Sequence, residues 1–171
     1  ATRRADASVR SRTEESSERY RWGLDRFIRE ARTLAKFDHP NIVRVLSVFE
    51  DNGTAYMVMR FEEGENLGAL LERRHSVGEA ELMRVLLPVL DGLKLVHDAG
   101  FIHRDIKPDN ILLARHTAVV ADFGIAKAIV AAQEKPARDT LTQLGTAVGT
   151  PAYMAPEQAA GDPDTDHRAD V

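Results

Sequence analysis

The sequence predicts an α+β fold, and three of its features carry that prediction. Leu24, Phe27, Ile28, Ala31, Leu34 and Ala35 recur at the spacing of one helix face, following Trp22 and ending at His39-Pro40-Asn41. Residues 42–50 and 54–61 are rich in Val, Phe, Tyr and Met, and Asp51-Asn52-Gly53 between them is the turn chemistry of an antiparallel hairpin. Leu82, Leu86, Val89, Leu90, Leu93 and Val96 then mark a second, longer helix that stops at Gly100.

The remaining elements follow in chain order. Residues 1–19 carry five Arg and four acidic residues with almost no large apolar side chain, too little to bury a core, so they read as a polar insert or a disordered end. Residues 67–74 form a short helix between the two main ones. Residues 111–113 and 118–121 are brief apolar runs on either side of Arg115-His116, the pattern of a small hairpin. Residues 133–152 mix Gly, Pro, Thr and charge in a loop of a length that is usually functional.

Composition narrows the function classes. The 23 basic and 27 acidic residues are mixed along most of the chain, giving a formal charge of −4, so no cationic face for nucleic acid is announced. Without cysteine there is neither a disulfide framework nor a thiolate metal site, which fits a cytoplasmic setting. The most apolar stretch, residues 118–132, is interrupted by Asp122 and Lys127, so no membrane span is expected in this segment.

Chemistry concentrates in three motifs. His103-Arg104-Asp105-Ile106-Lys107-Pro108-Asp109-Asn110 is followed, twelve residues after the Asn, by Asp122-Phe123-Gly124 and later by Ala155-Pro156-Glu157. In order and spacing these resemble the motifs of the protein kinase family, and more closely the eukaryotic-like bacterial serine/threonine kinases. The resemblance covers about residues 22–171. It implies a two-lobed kinase fold of which this chain holds a fragment, with residues 20–62 in the small lobe and 63–171 in the large one. It also implies ATP and Mg2+ as cofactors, protein substrates, and transfer of the γ-phosphate to Ser or Thr hydroxyls in signalling.

Residue by residue, the resemblance assigns Asp105 to orient the substrate hydroxyl and accept its proton, and Lys107 to steady the transferring phosphate. It gives magnesium to Asn110 and Asp122, whose hard oxygens suit a small dication. Glu30, in Arg29-Glu30-Ala31, takes the place of the glutamate that pairs with an upstream lysine, and Leu34, one turn on, is expected to pack toward Phe123 and His103. Met59, Arg60 and Glu62 match the strand entering the hinge, where the Arg60 carbonyl and the Glu62 amide would contact adenine above a floor that includes Leu112. Lys107, with Gly149-Thr150-Pro151 before Ala155-Pro156-Glu157, is similar to the serine/threonine class, in which Thr150 would bond Asp105 and Lys107. Arg104 implies regulation by a phosphate on the activation loop, with Thr140, Thr142 and Thr146 as its candidate carriers. Asp170-Val171 resembles the start of the large lobe's central helix, whose aspartate anchors the backbone near His103-Arg104.

Two parts of the family pattern do not occur in these 171 residues. There is no Gly-x-Gly-x-x-Gly, and none of Lys36, Lys94, Lys107, Lys127 or Lys135 lies in a Val-Ala-x-Lys strand ahead of Glu30. Both are expected upstream of Ala1, so the fragment alone is expected to be inactive, with Glu30 and Glu157 exposed or otherwise paired. The alternative is a pseudokinase acting as a binding scaffold, which an upstream segment lacking the lysine would favour. The resemblance also admits a homodimer through the small lobe and a parent protein anchored in a membrane beyond this segment.

Overall fold

The computed structural model describes residues 14–114, 117–124 and 151–171. Helix α1 (Glu14–Leu34) leads into a two-stranded antiparallel sheet, β1 (Val45–Asp51) with β2 (Thr54–Met59), turned at Asn52-Gly53. Both turn residues have positive φ, 53° and 73°, which the Asn-Gly pair accommodates without strain. A second antiparallel sheet of order β3-β4-β5 joins Gly64–Asn66, Ile111–Ala114 and Thr117–Val120. Against it pack α2 (Leu67–Arg74), α3 (Glu79–Asp98) and a 3-10 turn at Pro108–Asn110; the chain also holds the single turn α4 (Pro156–Ala159) and 3-10 turns at Pro151–Tyr153 and His167–Asp170.

Four sequence expectations are corrected here. Helix α1 starts at Glu14, inside the stretch assigned to a polar insert or disordered end. Acidic residues at a helix N-terminus favour the dipole, and the Tyr20 hydroxyl donates to the Gly53 carbonyl at 2.9 Å, tying the added turns to the β1–β2 turn. The first strand begins at Val45 rather than at residue 42, because Ile42 and Val43 pair elsewhere. Val43 N–H donates to Val120 O and Val120 N–H donates to Asn41 O, forming a parallel bridge to β5. The second strand ends at Met59, and Phe61 lies beyond it, 87% exposed. Leu90, expected on the buried face of α3, is exposed, whereas Val89, Leu93 and Val96 are buried. Strand β3 was not foreseen: three residues containing Gly and Glu have no strand signature of their own, and they pair only because β4 offers an edge.

One core links the parts. Ala31 and Leu34 of α1, Ile42 and Val43 of the following loop, Leu93 and Val96 of α3 and Val119 and Val120 of β5 form one buried cluster with Phe123. Asn41, also buried, closes it: its Nδ2 donates to Thr117 Oγ1 at 2.6 Å and to the Ala118 carbonyl at 2.8 Å. Removing such a partner from a buried group costs about 1–3 kcal/mol, so the Asn is a fastener between the loop and β5. No helix among the described residues is long and apolar enough to cross a membrane.

His103 lies at the bottom of this core with no exposed surface, its ring 4.3 Å from that of Phe123. The Asp105 N–H donates to its Nδ1, so Nε2 carries the ring proton and donates to Ala121 O at 3.0 Å. This single neutral tautomer satisfies both partners, and a second proton would face the Asp105 N–H. Burial pushes the imidazole pKa below its ordinary 6.5, against smaller opposing influences from the Ala121 carbonyl and from Asp170, Asp105 and Asp122. Between the lowered folded value and 6.5 the unfolded chain binds the extra proton and the folded chain does not, so stability rises with pH. His103 therefore contributes fully above about pH 6.5, and its contribution is lost as pH falls below that. The urea midpoint is expected to drop between pH 7.5 and 5.5, and the drop is expected to shrink in His103→Leu when both profiles are recorded side by side.

Candidate active site

The site is built on the stretch from His103 to Asn110, where every backbone polar group of three consecutive residues has a partner. His103 N–H donates to Asp170 Oδ2 and Arg104 N–H to Asp170 Oδ1, both at 2.7 Å. The His103 carbonyl accepts from Gly124 N–H at 2.9 Å, the Arg104 carbonyl from Gln158 Nε2 at 3.2 Å, and the Asp105 carbonyl from Asn110 Nδ2 at 2.8 Å. Such complete pairing is what holds Arg104 at φ 68°, a left-handed conformation that costs a non-glycine residue about 1–3 kcal/mol. Gly124 is required by the same geometry, since a Cβ there would stand 2.9 Å from the His103 carbonyl oxygen.

Beyond the left-handed kink the side chains of Asp105, Lys107 and Asn110 come together. Asn110 Nδ2 also donates to Asp105 Oδ2 at 3.0 Å, and Lys107 Nζ lies 3.8 Å from the same oxygen. Because both groups facing the Asn110 amide nitrogen are acceptors, its orientation is fixed and its carbonyl oxygen is left to bind elsewhere. Ala121 N–H donates to the Asn110 backbone carbonyl, so Asp122, one residue on, sits beside the 103–110 loop just after β5. Asp122 is exposed and also left-handed, φ 54°. Asn110 and Asp122 thus offer two hard oxygen donors on adjacent segments, a set that fits Mg2+.

The other sequence-assigned residues that are described lie on α1, on β2 and the segment after it, and on β4. Glu30 lies one turn before Leu34 on α1, half-buried, and its Oε1 accepts from Arg26 Nε at 2.8 Å, so it is paired within the helix. Leu34 is buried in the cluster that contains Phe123. Arg29, Glu30 and Thr33 line a cleft of 270 Å3 whose other wall is Phe101, Ile102, Arg104 and Gly124. Met59 closes β2 opposite Val45, and Arg60 N–H donates to the Arg44 carbonyl while its guanidinium pairs with Glu62 at 2.7 Å. Leu112, half-buried, stands in β4 between Asn66 and Val119. Glu157 is half-buried and lies within electrostatic reach of Arg168. Thr140, Thr142, Thr146 and Thr150 lie outside the described residues.

Three residues at the site had not been singled out by sequence reasoning. His97, at the end of α3, donates from Nε2 to Asp170 Oδ2 at 2.8 Å, and Arg26 holds Glu30. Gln158 completes the backbone of Arg104. A Gln three residues after Ala155 is a helix-capping signal and could have revealed its bond from Ala155 N–H, but nothing in the sequence points across the 54 residues to Arg104.

Comparison with known proteins places this geometry in a family. The family model for the protein kinase domain matches residues 5–171. The serine/threonine-protein kinase pkn3 of Myxococcus xanthus is 38% identical over 152 residues, 85% of this chain and 27% of that protein. The serine/threonine-protein kinase PknL of Mycobacterium tuberculosis is 39% identical over 149 residues, 86% of this chain and 35% of that one. The chain thus spans about a third or less of the length of the curated relatives it matches. Among solved structures, the apo form of PpkA-294 superposes with a TM-score of 0.76 at 32% identity, covering 98% of this chain and 57% of that one. The kinase domain of Mycobacterium tuberculosis PknI superposes with a TM-score of 0.67 at 28% identity, covering 91% of this chain and 55% of that one. By its motifs, its catalytic-loop geometry and these matches, the chain belongs to the protein kinase domain family.

Proposed function

We propose that the protein to which this chain belongs is an ATP-dependent serine/threonine protein kinase, and that Asp105, Lys107, Asn110 and Asp122 form its phosphoryl-transfer centre. The observation that carries this reading is the convergence of Lys107 Nζ and Asn110 Nδ2 on one oxygen of Asp105, at 3.8 and 3.0 Å. Curated relatives named as serine/threonine-protein kinases support it.

Phosphoryl transfer asks a protein for positioning and charge neutralisation more than for covalent chemistry. Asp105 orients the substrate hydroxyl and accepts its proton as the oxygen attacks phosphorus. The Asn110 bond fixes the carboxylate rotamer, and Lys107 offsets the negative charge on the transferring group. Bound at Asn110 and Asp122, Mg2+ would neutralise the phosphate oxygens of ATP. Met59, Arg60, Glu62 and Leu112 frame the adenine in this reading, and Glu30 exchanges Arg26 for a lysine of an upstream strand. Thr150 would bond Asp105 and Lys107 and favour Ser or Thr as the acceptor.

Arg104 serves regulation in the same reading. Arg104 borders a cleft together with Arg29 and Thr33, a setting that would receive a phosphate carried on Thr140, Thr142 or Thr146. ATP as phosphoryl donor points to the cytoplasm as the setting of the domain. A membrane anchor elsewhere in the protein and a homodimer through the small lobe are compatible with this proposal.

The full-length protein incubated with Mg-ATP is expected to phosphorylate itself on threonine within residues 140–150. Asp105→Asn is expected to lower the rate by about 100-fold or more, the usual worth of a positioned general base. Absence of transfer to itself and to generic protein substrates, in a protein that remains folded, would turn the reading toward a binding scaffold. In an Asp122→Ala variant, the Mg2+ concentration giving half-maximal rate is expected to rise at least about tenfold, the usual cost of losing an ion's contact.

A further inference from the structure

We propose that Gln158 is a positioning residue for the catalytic carboxylate, coupling the segment Ala155–Gln158 to the peptide that sets the direction of Asp105. The inference rests on the reading of Asp105 as the group that receives the substrate hydroxyl.

The peptide unit between Arg104 and Asp105 is where the two segments meet. Its carbonyl follows a residue held at φ 68°, so the unit is not kept in place by regular secondary structure. On its N-terminal side Asp170 fixes the Arg104 N–H, and on its C-terminal side the His103 ring accepts the Asp105 N–H. The carbonyl itself accepts a bond at 3.2 Å from Gln158 Nε2. Were that bond lost, only the Asp105 N–H bond to the His103 ring would hold the peptide plane, and a tilt of the plane would turn the Cα–Cβ vector of Asp105.

The Gln158 amide is oriented by its second bond. Its Oε1 accepts from Ala155 N–H at 3.2 Å, the reach-back contact at the first turn of α4, so the nitrogen must face Arg104. One side chain therefore spans the two segments with complementary atoms: acceptor toward Ala155, donor toward the catalytic loop. Correct aim of Asp105 consequently depends on α4 being seated, and displacement of the Ala155-Pro156-Glu157 turn would misalign the carboxylate without touching it.

This division of atoms supplies the test. In Gln158→Glu the carboxylate still accepts from Ala155 N–H but cannot donate to the Arg104 carbonyl, whereas Gln158→Met removes both bonds at similar volume. Steady-state transfer from Mg-ATP to a generic protein substrate is measured for the full-length wild type and both variants, beside their thermal midpoints. Both variants are expected to lose about tenfold in kcat, the worth of one hydrogen bond felt in the transition state, with the KM for ATP within about twofold of wild type. Both variants are expected to stay folded with a lowered thermal midpoint, because each leaves the Arg104 carbonyl without its donor. An active wild type with Gln158→Glu at full kcat overturns the proposal alone. Should Gln158→Glu fail to fold, Gln158→Met at full kcat overturns it equally. A folded wild type that transfers no phosphate overturns the kinase reading and this inference together.

Discussion

The buried carboxylate of Asp170 is the constraint on which the catalytic loop depends. It is shielded from solvent and accepts from the backbone N–H of His103, the backbone N–H of Arg104 and Nε2 of His97. Taking a carboxylate out of water costs several kcal/mol, and each charge-assisted bond returns about 1.5–3 kcal/mol, so all three are needed for the arrangement to break even. Little is left over for stability. What the arrangement provides instead is geometry: the end of α3, the start of the catalytic loop and the turn at His167–Asp170 are held to one point.

From that point the rest follows by contact. With His103 and Arg104 pinned, the left-handed kink at Arg104 is set, and His103 turns its ring under Phe123 and its Nε2 toward Ala121. Ala121 in turn holds the Asn110 carbonyl, which keeps Asp122 beside Asn110. On the other side, the cluster around Phe123 includes Leu34, so helix α1 and its Glu30 are packed against the same centre. Chemistry and core share residues here, and a change in one is expected to be felt in the other.

Much of this was legible in the sequence, for identifiable reasons. Helix α3 and the short helix at residues 67–74 follow from hydrophobic period, and Asn52-Gly53 announced the first hairpin because few other pairs accept positive φ twice. The candidate site residues stood out because the motifs that resemble the kinase family set particular side chains at fixed spacing. Less visible were features that depend on distant backbone. Strand β3 exists only through its pairing with β4, and residues 42–43 leave the expected strand to pair with Val120. Asn41 read as a helix terminator and turned out to fasten β5, and Gln158 read as nothing in particular. Side chains that bind a remote carbonyl leave no local pattern, so composition and period could not reveal them. The start of α1 was missed for another reason: its first turns are polar in sequence and carry no apolar period, and the Tyr20 bond to Gly53 is a contact with a distant turn.

The most direct test of the account is amide hydrogen exchange at His103 and Arg104, compared between the wild-type kinase domain and Asp170→Asn. If the carboxylate holds these two N–H groups, they are strongly protected in the wild type. In the variant, where a neutral amide replaces the charged acceptor and can accept on one oxygen only, they exchange about 10- to 100-fold faster, corresponding to the loss of a charge-assisted bond. Equal protection of both amides in the two proteins would contradict the account, since the loop would then owe its shape to something other than Asp170.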